Sequence, residues 1–450
     1  MAKKKAKKEE DYPIITSREL LQKGIGDVVK DAYLDFGSYI NLHRHLAEVK
    51  DGMKISYRRL IYASTKFPKG KLIPSAEFIP TVSAFHPHSL TGIEGLNATL
   101  VNSGVFTGEG CFGYVGIDGI DNPYANPRYT KNRLSDLYWE IIGDSIKEVP
   151  YTESPVGALE PAYIPLALPL CLILSQLVEG LGVGIRTKYP NFSPKSLYQA
   201  YINNNPYLLE PNVNLILDKE HSELERLWKT GKGTVTYAYK ISRQMSPDGK
   251  AEGILFEGDT GIFTPNLKKL RVLEDAGKVF IDDMTDLSGP KLFVGRIPGA
   301  RGITIEEIET LCRKACYDST VYQLNVTDGT TAFRIPLYDW IDYTYKNYIN
   351  LVTEINQKRI DKVKFDIAVQ EALPIVSNYI INVNPKASDQ DIITALSIPA
   401  EIISSVMSKP ISYLRKNKDT AERVKELKER LKELKKFNPI TYTEQIINLM

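Results

Sequence analysis

One long helix is the feature that most constrains the fold of this chain. Its apolar side chains recur at alternating spacings of four and three residues between Tyr338 and about Ala372, at Ile341, Tyr345, Tyr348, Val352 and Ile355. This heptad spacing is typical of the seam along which two helices of a coiled coil meet. The pattern therefore predicts a long helix that needs a partner helix.

A second heptad seam supplies that partner. It lies in a Lys- and Glu-rich stretch that opens with Asp419 and Glu422, and its members are Val424, Leu427, Leu431 and Leu434. Residues 373 to 416, between the seams, contain several prolines and predict a compact helical segment. We expect a long antiparallel coiled-coil arm with a small helical globule at its tip. A plain helical hairpin on the surface is the alternative.

The size and charge of the chain limit its function. Its 450 residues are enough for two or three domains. Because the formal net charge is only +2, affinity for nucleic acid must come from local basic patches. The most apolar run, residues 163 to 174, is too short and too interrupted by proline to cross a membrane.

The four cysteines indicate a reducing compartment rather than a disulfide framework. Cys312 and Cys316 lie one helical turn apart, so zinc binding is conceivable. No neighbouring histidine or cysteine completes a tetrahedral site, which favours a reduced helix in the core. Residues 1 to 13 are basic at their start, have no apolar core and predict a disordered tail.

The rest of the chain mixes helical and strand patterns, which predicts a mixed α/β fold. Helical patterns cover residues 14 to 65 in pieces, interrupted at Gly37, and residues 130 to 149 directly after Tyr129. Residues 162 to 185 are apolar and strand-like, residues 231 to 298 alternate as strands, and a helix follows at about 304 to 316.

A tyrosine in a basic setting is the first candidate for chemistry. Tyr129 lies between Arg128 and the cations Lys131 and Arg133, downstream of the glycine-rich turn 107–113. A tyrosine hydroxyl has an ordinary pKa of about 10, but guanidinium groups favour the phenolate and bind phosphate through forked hydrogen bonds. Tyr129 is therefore a candidate nucleophile toward a phosphodiester. The alternative is that it is a packed aromatic, since the chain has 26 tyrosines.

Two further motifs carry polar side chains. After the turn at Asp51-Gly52, a helix places Arg58 and Arg59 beside an apolar face, which is typical of a recognition helix or of an ordinary solvated basic face. His86 and His88 flank a proline that fixes the backbone between them. They are candidates for binding metal, for donating to a phosphate or for satisfying buried carbonyl groups.

Three glycines alternate in residues 180 to 184, around the apolar Leu181. This spacing indicates a bulge or a close approach of the backbone to another group. Phosphate binding is a weaker interpretation, because no Lys-Ser/Thr follows as a P-loop requires.

Together these motifs resemble the A-type, breakage-reunion subunit of type IIA DNA topoisomerases. The resemblance covers roughly residues 25 to 437 and rests on Arg44 and five motifs in fixed order: Asp51–Ala63, His86–His88, Gly108–Gly113, Arg128–Thr130 and Gly180–Gly184. The chain departs from the usual family residues at Ile55, Ser89, Cys111 and Leu181. On this resemblance we expect the chain to lack the basic wrapping domain of gyrases and to be most similar to phage-encoded medium subunits.

The resemblance implies four structured regions. We expect a winged-helix DNA-binding domain with the catalytic tyrosine at 14–150 and an α/β tower domain at 151–333. A coiled coil and C-gate would occupy 334–437, and a C-terminal tail 438–450. By resemblance, Tyr129 attacks the backbone phosphorus, and Arg128 and His88 act on the same phosphate.

The resemblance also assigns the DNA contacts. His86 supports the turn of His88, and Leu181 wedges between base pairs. The cations that neutralise neighbouring DNA phosphates are expected to be Arg44, Lys54, Arg58 and Arg59.

The resemblance further implies that the chain works with other chains. It predicts a homodimer within a heterotetramer-type assembly on double-stranded DNA, with no metal site in this chain. Mg²⁺ and ATP would both be bound by a TOPRIM and ATPase partner subunit, in the cytoplasm of a bacterial cell. The expected activity is ATP-dependent relaxation and decatenation by double-strand passage. One alternative is the A-type subunit of a supercoiling gyrase, and another is a non-catalytic DNA-bending architectural protein.

Overall fold

The computed structural model describes residues 24–85, 90–286, 289–409 and 420–450. The predicted N-terminal tail, the His86 and His88 pair and the predicted helix start at Asp419 lie outside these residues. No helix in the described part of the chain is long and apolar enough to cross a membrane.

The first helix, α1 (Ile25–Ile40), continues into a π-helical turn, Asn41–His45. The predicted interruption at Gly37 is wrong. Gly37 is buried inside α1, where an added Cβ would lie 3.0 Å from the Val183 side chain. The glycine therefore permits close packing and does not end the helix.

Three helices and a three-stranded sheet follow. The helices are α2 (Ile55–Ser64), α3 (Ser75–Val82) and α4 (Leu90–Asn102). The antiparallel sheet has the order β2-β6-β3, with strands Ile73–Pro74, Lys131–Leu134 and Phe106–Glu109. The predicted helix directly after Tyr129 is therefore wrong for residues 131 to 134, because pairing with β3 and β2 draws them into a strand. A helix, α5 (Asp136–Ile142), begins only after that strand.

Residues 162 to 174 form buried irregular chain rather than the predicted strands. This segment carries Pro165 and Pro169 and is buried almost throughout, with one 3-10 turn at Leu170–Leu172. Strand structure begins at β9 (Val178–Leu181). The apolar run reflects core burial and not membership of a sheet.

Strands are confirmed in much of the predicted region 231–298 and contribute to two antiparallel sheets, but residues 268–275 form a helix instead. The larger sheet has the order β11-β12-β17-β10-β9, and the smaller has the order β13-β14-β16-β15. Their remaining strands are β10 (Arg186–Tyr189), β11 (Ile216–Leu217), β12 (Lys232–Ala238), β13 (Lys240–Met245), β14 (Glu252–Glu257), β15 (Val279–Asp283), β16 (Lys291–Arg296) and β17 (Tyr317–Gln323).

Short strands elsewhere in the described residues pair in small sheets of their own. They are β1 (Ala47–Glu48) with β18 (Asn325–Thr327) and β19 (Ala332–Arg334), β4 (Tyr114–Val115) with β5 (Asp121–Asn122), and β7 (Tyr151–Glu153) with β8 (Leu159–Pro161).

Four helices lie among the strands of the two larger sheets: α6 (Pro194–Ile202), α7 (Leu224–Thr230), α8 (Lys268–Asp275) and α9 (Ile305–Ala315). The predicted helix near 304–316 is confirmed as α9, which Thr304 and Glu307 cap reciprocally. Cys312 and Cys316 are buried and form no disulfide, and burial raises the pKa of Cys312 to about 12.

The predicted long helix is confirmed as α10 (Leu337–Asn378), and all five predicted seam residues are buried. It pairs with α13 (Thr420–Lys435), whose own seam is half-buried. Asn356 donates to the Leu434 carbonyl at 3.1 Å, and Glu371 pairs with Lys428 at 2.7 Å. The contact partner of the later α10 residue comes earlier in α13, so the two helices run antiparallel.

A small separate core occupies the tip of this arm. It joins the end of α10 to α11 (Asp389–Leu396) and α12 (Ala400–Met407) through Leu373, Val376, Ile392, Ile403 and Val406. This is the predicted helical globule.

The predicted C-terminal tail is wrong. Residues Pro439–Leu449 form a helix, α14, whose Thr443, Ile446 and Ile447 are buried. The Tyr198 hydroxyl donates to Glu444 at 2.8 Å, which fixes α14 to α6. The apolar spacing at 443, 446 and 447 is the signal that identifies this helix.

Candidate functional site

Tyr129 is presented on a short capped turn. It ends the 3-10 turn Pro127–Tyr129, and the Asn126 side chain accepts a 3.2 Å hydrogen bond from the Arg128 main-chain N–H. The Tyr129 side chain is 66% exposed, so the alternative of a packed aromatic is wrong. The Arg128 guanidinium carbon lies 4.7 Å from the centre of the Tyr129 ring, within the range of a cation–π contact.

The exposed tyrosine stands on a buried polar frame. The Ser75 main-chain N–H donates to the Thr130 carbonyl at 2.9 Å, and the Thr130 hydroxyl donates to Ser75 Oγ at 2.8 Å. Ser75 Oγ in turn donates to Asn132 at 3.0 Å. This chain of bonds ties the turn to the first residue of α3. The backbone of Tyr129 is therefore fixed while its phenol is free to meet a ligand.

Gly110 lets the glycine-rich loop approach this turn. Its φ is +106°, and an added Cβ would lie 2.8 Å from the Tyr129 carbonyl oxygen. Only glycine combines this backbone conformation with such a close approach.

Arg58 and Arg59 do not form the exposed basic face expected of α2. Arg58 donates from Nε and Nη2 to Asp51 at 2.9 and 3.2 Å, and Arg59 donates from Nε and Nη2 to Glu160 at 2.7 and 2.8 Å. The two arginine side chains are only 9% and 3% exposed. Neither interpretation of these arginines, as a solvated basic face or as an exposed recognition face, holds in this structure, because each guanidinium is neutralised by a buried carboxylate. Their role in binding phosphate stays a prediction.

Asp51 organises the junction beneath the site. Its carboxylate accepts from Arg58 and also from the main-chain N–H groups of Met53 and Ile164, both at 2.9 Å. Gly52 has φ +66°, and an added Cβ would lie 2.5 Å from Pro169. The Asp51-Gly52 turn is thus the point at which α2 locks onto the buried 162–174 segment.

Leu181 is displayed at the end of β9, where it is 75% exposed and paired with Arg186 across the hairpin. Asn41 pins the turn that follows: its Nδ2 donates to the Val183 carbonyl at 2.9 Å, and its Oδ1 accepts from the Val183 N–H at 2.9 Å. The turn is therefore fixed to the π-helical segment while the leucine projects from it.

The alternating glycines are explained by a close backbone approach, as the sequence predicts. An added Cβ on Gly180 would lie 2.2 Å from the His45 carbonyl oxygen. One on Gly182 would lie 1.9 Å from Asn41 Oδ1. The neighbour is thus the π-helical turn 41–45.

Arg44 and Lys54 lie close to the hairpin of Leu181. Arg44 is exposed on the π-helical turn that contacts β9. The Lys54 ammonium donates to the Glu179 main-chain carbonyl, and burial lowers the pKa of Lys54. The structure thus brings Arg44, Lys54 and Leu181 to one hairpin, while Arg128 and Tyr129 lie on the 3-10 turn that precedes β6.

The predicted histidine pair and the possible metal ligands are the remaining candidate residues. His86 and His88 lie outside the described residues. Within the described ranges no group of three or more His, Cys, Asp or Glu side chains is arranged to hold a metal ion. Asp118 accepts from the Ile120 N–H at 3.0 Å, a bond typical of an aspartate in a turn.

Sequence reasoning missed three supporting residues: Asn41, Asn126 and Glu160. Asn126 directly precedes Pro127 in the order typical of a helix cap, so a local signal for it existed. Asn41 and Glu160 bind residues 142 and 101 positions away, respectively, and no local pattern reveals such partners.

Comparison with known proteins gives a consistent family. A family model that describes the A subunit of DNA gyrase and topoisomerase IV matches residues 44–258. The DNA gyrase A subunit of Ureaplasma parvum is 23% identical over an alignment covering 95% of this chain and 54% of that protein. The DNA gyrase A subunit of Buchnera aphidicola is 26% identical, covering 53% of this chain and 31% of the relative.

A relative from the other branch also matches. The DNA topoisomerase 4 A subunit of Borreliella burgdorferi is 30% identical over 36% of this chain and 26% of that protein. The chain thus spans between about a quarter and about half of the length of these curated relatives. The family match begins at Arg44 and includes Tyr129 and Leu181. These matches and the order of its motifs support an A-type subunit of a type IIA DNA topoisomerase.

Proposed function

We propose that this chain is the DNA-cleaving and religating subunit of a type II topoisomerase, with Tyr129 as the nucleophile. The observation that carries the proposal is the exposed phenol of Tyr129, held on a buried frame with the Arg128 guanidinium against its ring. A rigid, solvent-facing nucleophile beside a phosphate-binding cation is the arrangement that nucleophilic attack on a phosphodiester requires.

In the proposed reaction the Tyr129 oxygen attacks a DNA backbone phosphorus. The phenol loses its proton, the new O–P bond forms, and the deoxyribose 3′-oxygen leaves and takes up a proton. The product is a 5′-phosphotyrosyl ester that retains the energy of the broken bond. Attack by the 3′-hydroxyl reverses the step and releases Tyr129, so religation consumes no ATP.

The other predicted residues support this step. Arg128 orients the phosphate and stabilises its developing charge, and His88 donates to the same phosphate while His86 supports its turn. Arg44 and Lys54 neutralise neighbouring phosphates, which contributes affinity without sequence preference. Arg58 and Arg59 are also proposed to neutralise DNA phosphates, and in the free protein their ion pairs with Asp51 and Glu160 hold α2 in place.

Leu181 is proposed to bend the duplex. Its exposed side chain on a pinned hairpin is suited to insertion at a base step, with a cost of a few kcal/mol that wrapped contacts offset. We infer that helices α2 to α4 with the β2-β6-β3 sheet form the winged-helix unit. The sheets of 178–323 would form the tower, and the globule at the tip of the arm the C-gate.

The complete enzyme is proposed to need other chains. A double-strand break requires two tyrosines related by a two-fold axis, so the active form contains two copies of this chain. We propose that a TOPRIM and ATPase subunit binds Mg²⁺ and ATP. Mg²⁺ would supply charge neutralisation at the cleaved phosphate.

The test is a covalent-adduct assay with the partner subunit, Mg²⁺ and supercoiled plasmid. Tyr129→Phe is expected to retain DNA binding and to form no protein-linked DNA ends. Tyr114→Phe is the matched control, because Tyr114 is 60% exposed on a strand close by in sequence, and it is expected to form adducts normally.

Protein-linked ends formed by Tyr129→Phe would overturn the assignment. Bending of a duplex by wild-type protein without any adduct would favour the architectural alternative. The topology of the plasmid product distinguishes relaxation and decatenation, which we propose, from supercoiling.

A further inference from the structure

The outer face of the three-stranded sheet carries charged side chains beside Tyr129. Along β6, Asn132 and Leu134 are buried, while Lys131 and Arg133 point outward. Glu109 on β3 lies directly opposite Lys131. Because opposed residues of an antiparallel pair share one face, Lys131 and Glu109 are neighbours on this surface.

Two ion pairs lie on or next to this face. Lys131 Nζ is 2.9 Å from Glu109 Oε1, with the side chains 47% and 57% exposed. Arg133 donates from Nη1 and Nη2 to the two oxygens of Asp136, at 2.7 and 2.9 Å, and its side chain is only 18% exposed. Two of the cations around the nucleophile therefore already have a carboxylate partner.

The two pairs differ in how readily they can open. The Arg133 pair is a two-bond fork with a partly buried guanidinium, a geometry that favours persistence. The Lys131 pair is a single contact between two well-exposed side chains, and such pairs contribute little to stability. A DNA phosphate that approaches this face can therefore replace Glu109 as the partner of Lys131 far more easily than it can displace Asp136.

Glu109 and Lys131 also flank the turn of the nucleophile. Lys131 is two residues after Tyr129, and Glu109 directly precedes Gly110, whose backbone lies against the Tyr129 carbonyl. A phosphate that reaches this face of the sheet meets both charges of the pair. It attracts the ammonium and repels the carboxylate, so both forces favour opening of the pair.

We propose that Lys131 is a further DNA-phosphate ligand of this site and that Glu109 is its counter-charge, exchanged for a backbone phosphate when DNA binds. The proposal rests on the proposed function and adds to it a residue pair that sets DNA affinity at the cleavage site. Glu109 keeps this face near neutral in the free protein. It thereby weakens the binding of DNA that does not bring a phosphate close to Lys131.

The experiment is a double-mutant cycle on binding of a fluorescent duplex, measured by anisotropy at salt concentrations between about 50 and 200 mM. All proteins carry Tyr129→Phe, so that cleavage does not affect the readout. If the pair opens on binding, Glu109→Gln tightens binding more when Lys131 is present than in a Lys131→Ala background. The expected difference is about two- to five-fold, the range of an exposed ion pair. In the Glu109→Gln background, Lys131→Ala should lower the slope of log affinity against log salt by about 0.9.

Asp136→Asn is the matched control, since it removes the same charge from a carboxylate near the same face. It is expected to have the same effect on affinity with and without Lys131. Equal effects of Glu109→Gln in the two Lys131 backgrounds would overturn the proposal, because they would mean that the pair stays closed on DNA. Failure of the protein without the Glu109 and Lys131 changes to bind the duplex would instead contradict the proposed function. Adducts formed by Tyr129→Phe would contradict only the assignment of the nucleophile.

Discussion

The Arg59 guanidinium on α2 and the Glu160 carboxylate, 101 residues further along the chain, meet through two hydrogen bonds of 2.7 and 2.8 Å. The two side chains are 3% and 8% exposed. Glu160 lies on β8, which forms a hairpin with β7. Arg59, which belongs to a predicted DNA-binding motif, therefore also anchors α2 to this hairpin.

Arg59→Met is predicted to destabilise the fold by about 3 to 5 kcal/mol, because it leaves the Glu160 carboxylate buried without its partner. The double variant Arg59→Met, Glu160→Leu should recover much of the loss, since it removes both charges. Urea denaturation of the three proteins measures this. A stable Arg59→Met protein with weakened DNA binding would show instead that Arg59 acts as a direct phosphate ligand.

The raised pKa of Glu48 is expected to make the stability of the fold depend on pH. Burial raises its pKa to about 7, against the opposing effect of Arg58, and its Oε1 has no hydrogen-bond partner among the described residues. A carboxyl pKa raised in the folded state means that folding favours the protonated form. This contribution is fully present below pH 4.5 and is lost as the pH rises through 7, by about 3 kcal/mol at most.

Glu48→Gln imitates the protonated side chain and should remove this dependence. We expect it to be more stable than wild type at about pH 8 and nearly equal at about pH 5, as measured by denaturation at both values. A stability difference that does not change with pH would contradict the raised pKa of Glu48.

Gly180→Ala is predicted to destabilise the protein by roughly 1 to 3 kcal/mol, because its Cβ would collide with the His45 carbonyl and force the backbone apart. Since this contact holds the Leu181 hairpin against the segment with Arg44, the variant should also bend DNA less, measured by energy transfer between the duplex ends. Gly92→Ala is the control: no atom lies within 4 Å of its Cβ, and alanine favours the helix. Equal effects of the two substitutions would exclude steric contact as the cause.

Arg128→Lys tests the geometry of the guanidinium and not its charge. Lysine keeps the positive charge but loses the planar fork and the stacking on Tyr129, so we expect cleavage to slow by about 100-fold or more with little change in DNA affinity. Single-turnover accumulation of covalent adduct measures the rate. An unaffected rate would mean that Arg128 contributes only charge.

Local patterns predicted the elements that are determined locally. The seam from Ile341 to Ile355 identified α10, because heptad spacing is a property of residues that are near one another in the sequence. The Arg128-Tyr129 motif alone left a packed aromatic open, and only the order of the motifs along the chain singled out Tyr129 as the candidate nucleophile.

Long-range contacts determined what the sequence could not predict. Residues 131 to 134 form a strand because β2 and β3 flank them, although they precede a helical pattern. Arg58 and Arg59 have the charge of surface residues, and only their buried partners Asp51 and Glu160 place them inside. The setting of Leu181 depends on Asn41, 142 residues from Val183, the residue that it holds.

Helix α14 has a consequence for how the arm can move. The arm leaves the body of the protein at Trp340, whose indole N–H donates to the Val49 carbonyl at 2.9 Å, and its returning helix leads into α14, which is bonded to Tyr198. Both legs of the arm are therefore clamped to the same block. Such a frame resists sliding of one leg along the other. In the proposed form with two copies of this chain, separation of the two arms at their tips would therefore have to come from swinging or bending each arm as a whole.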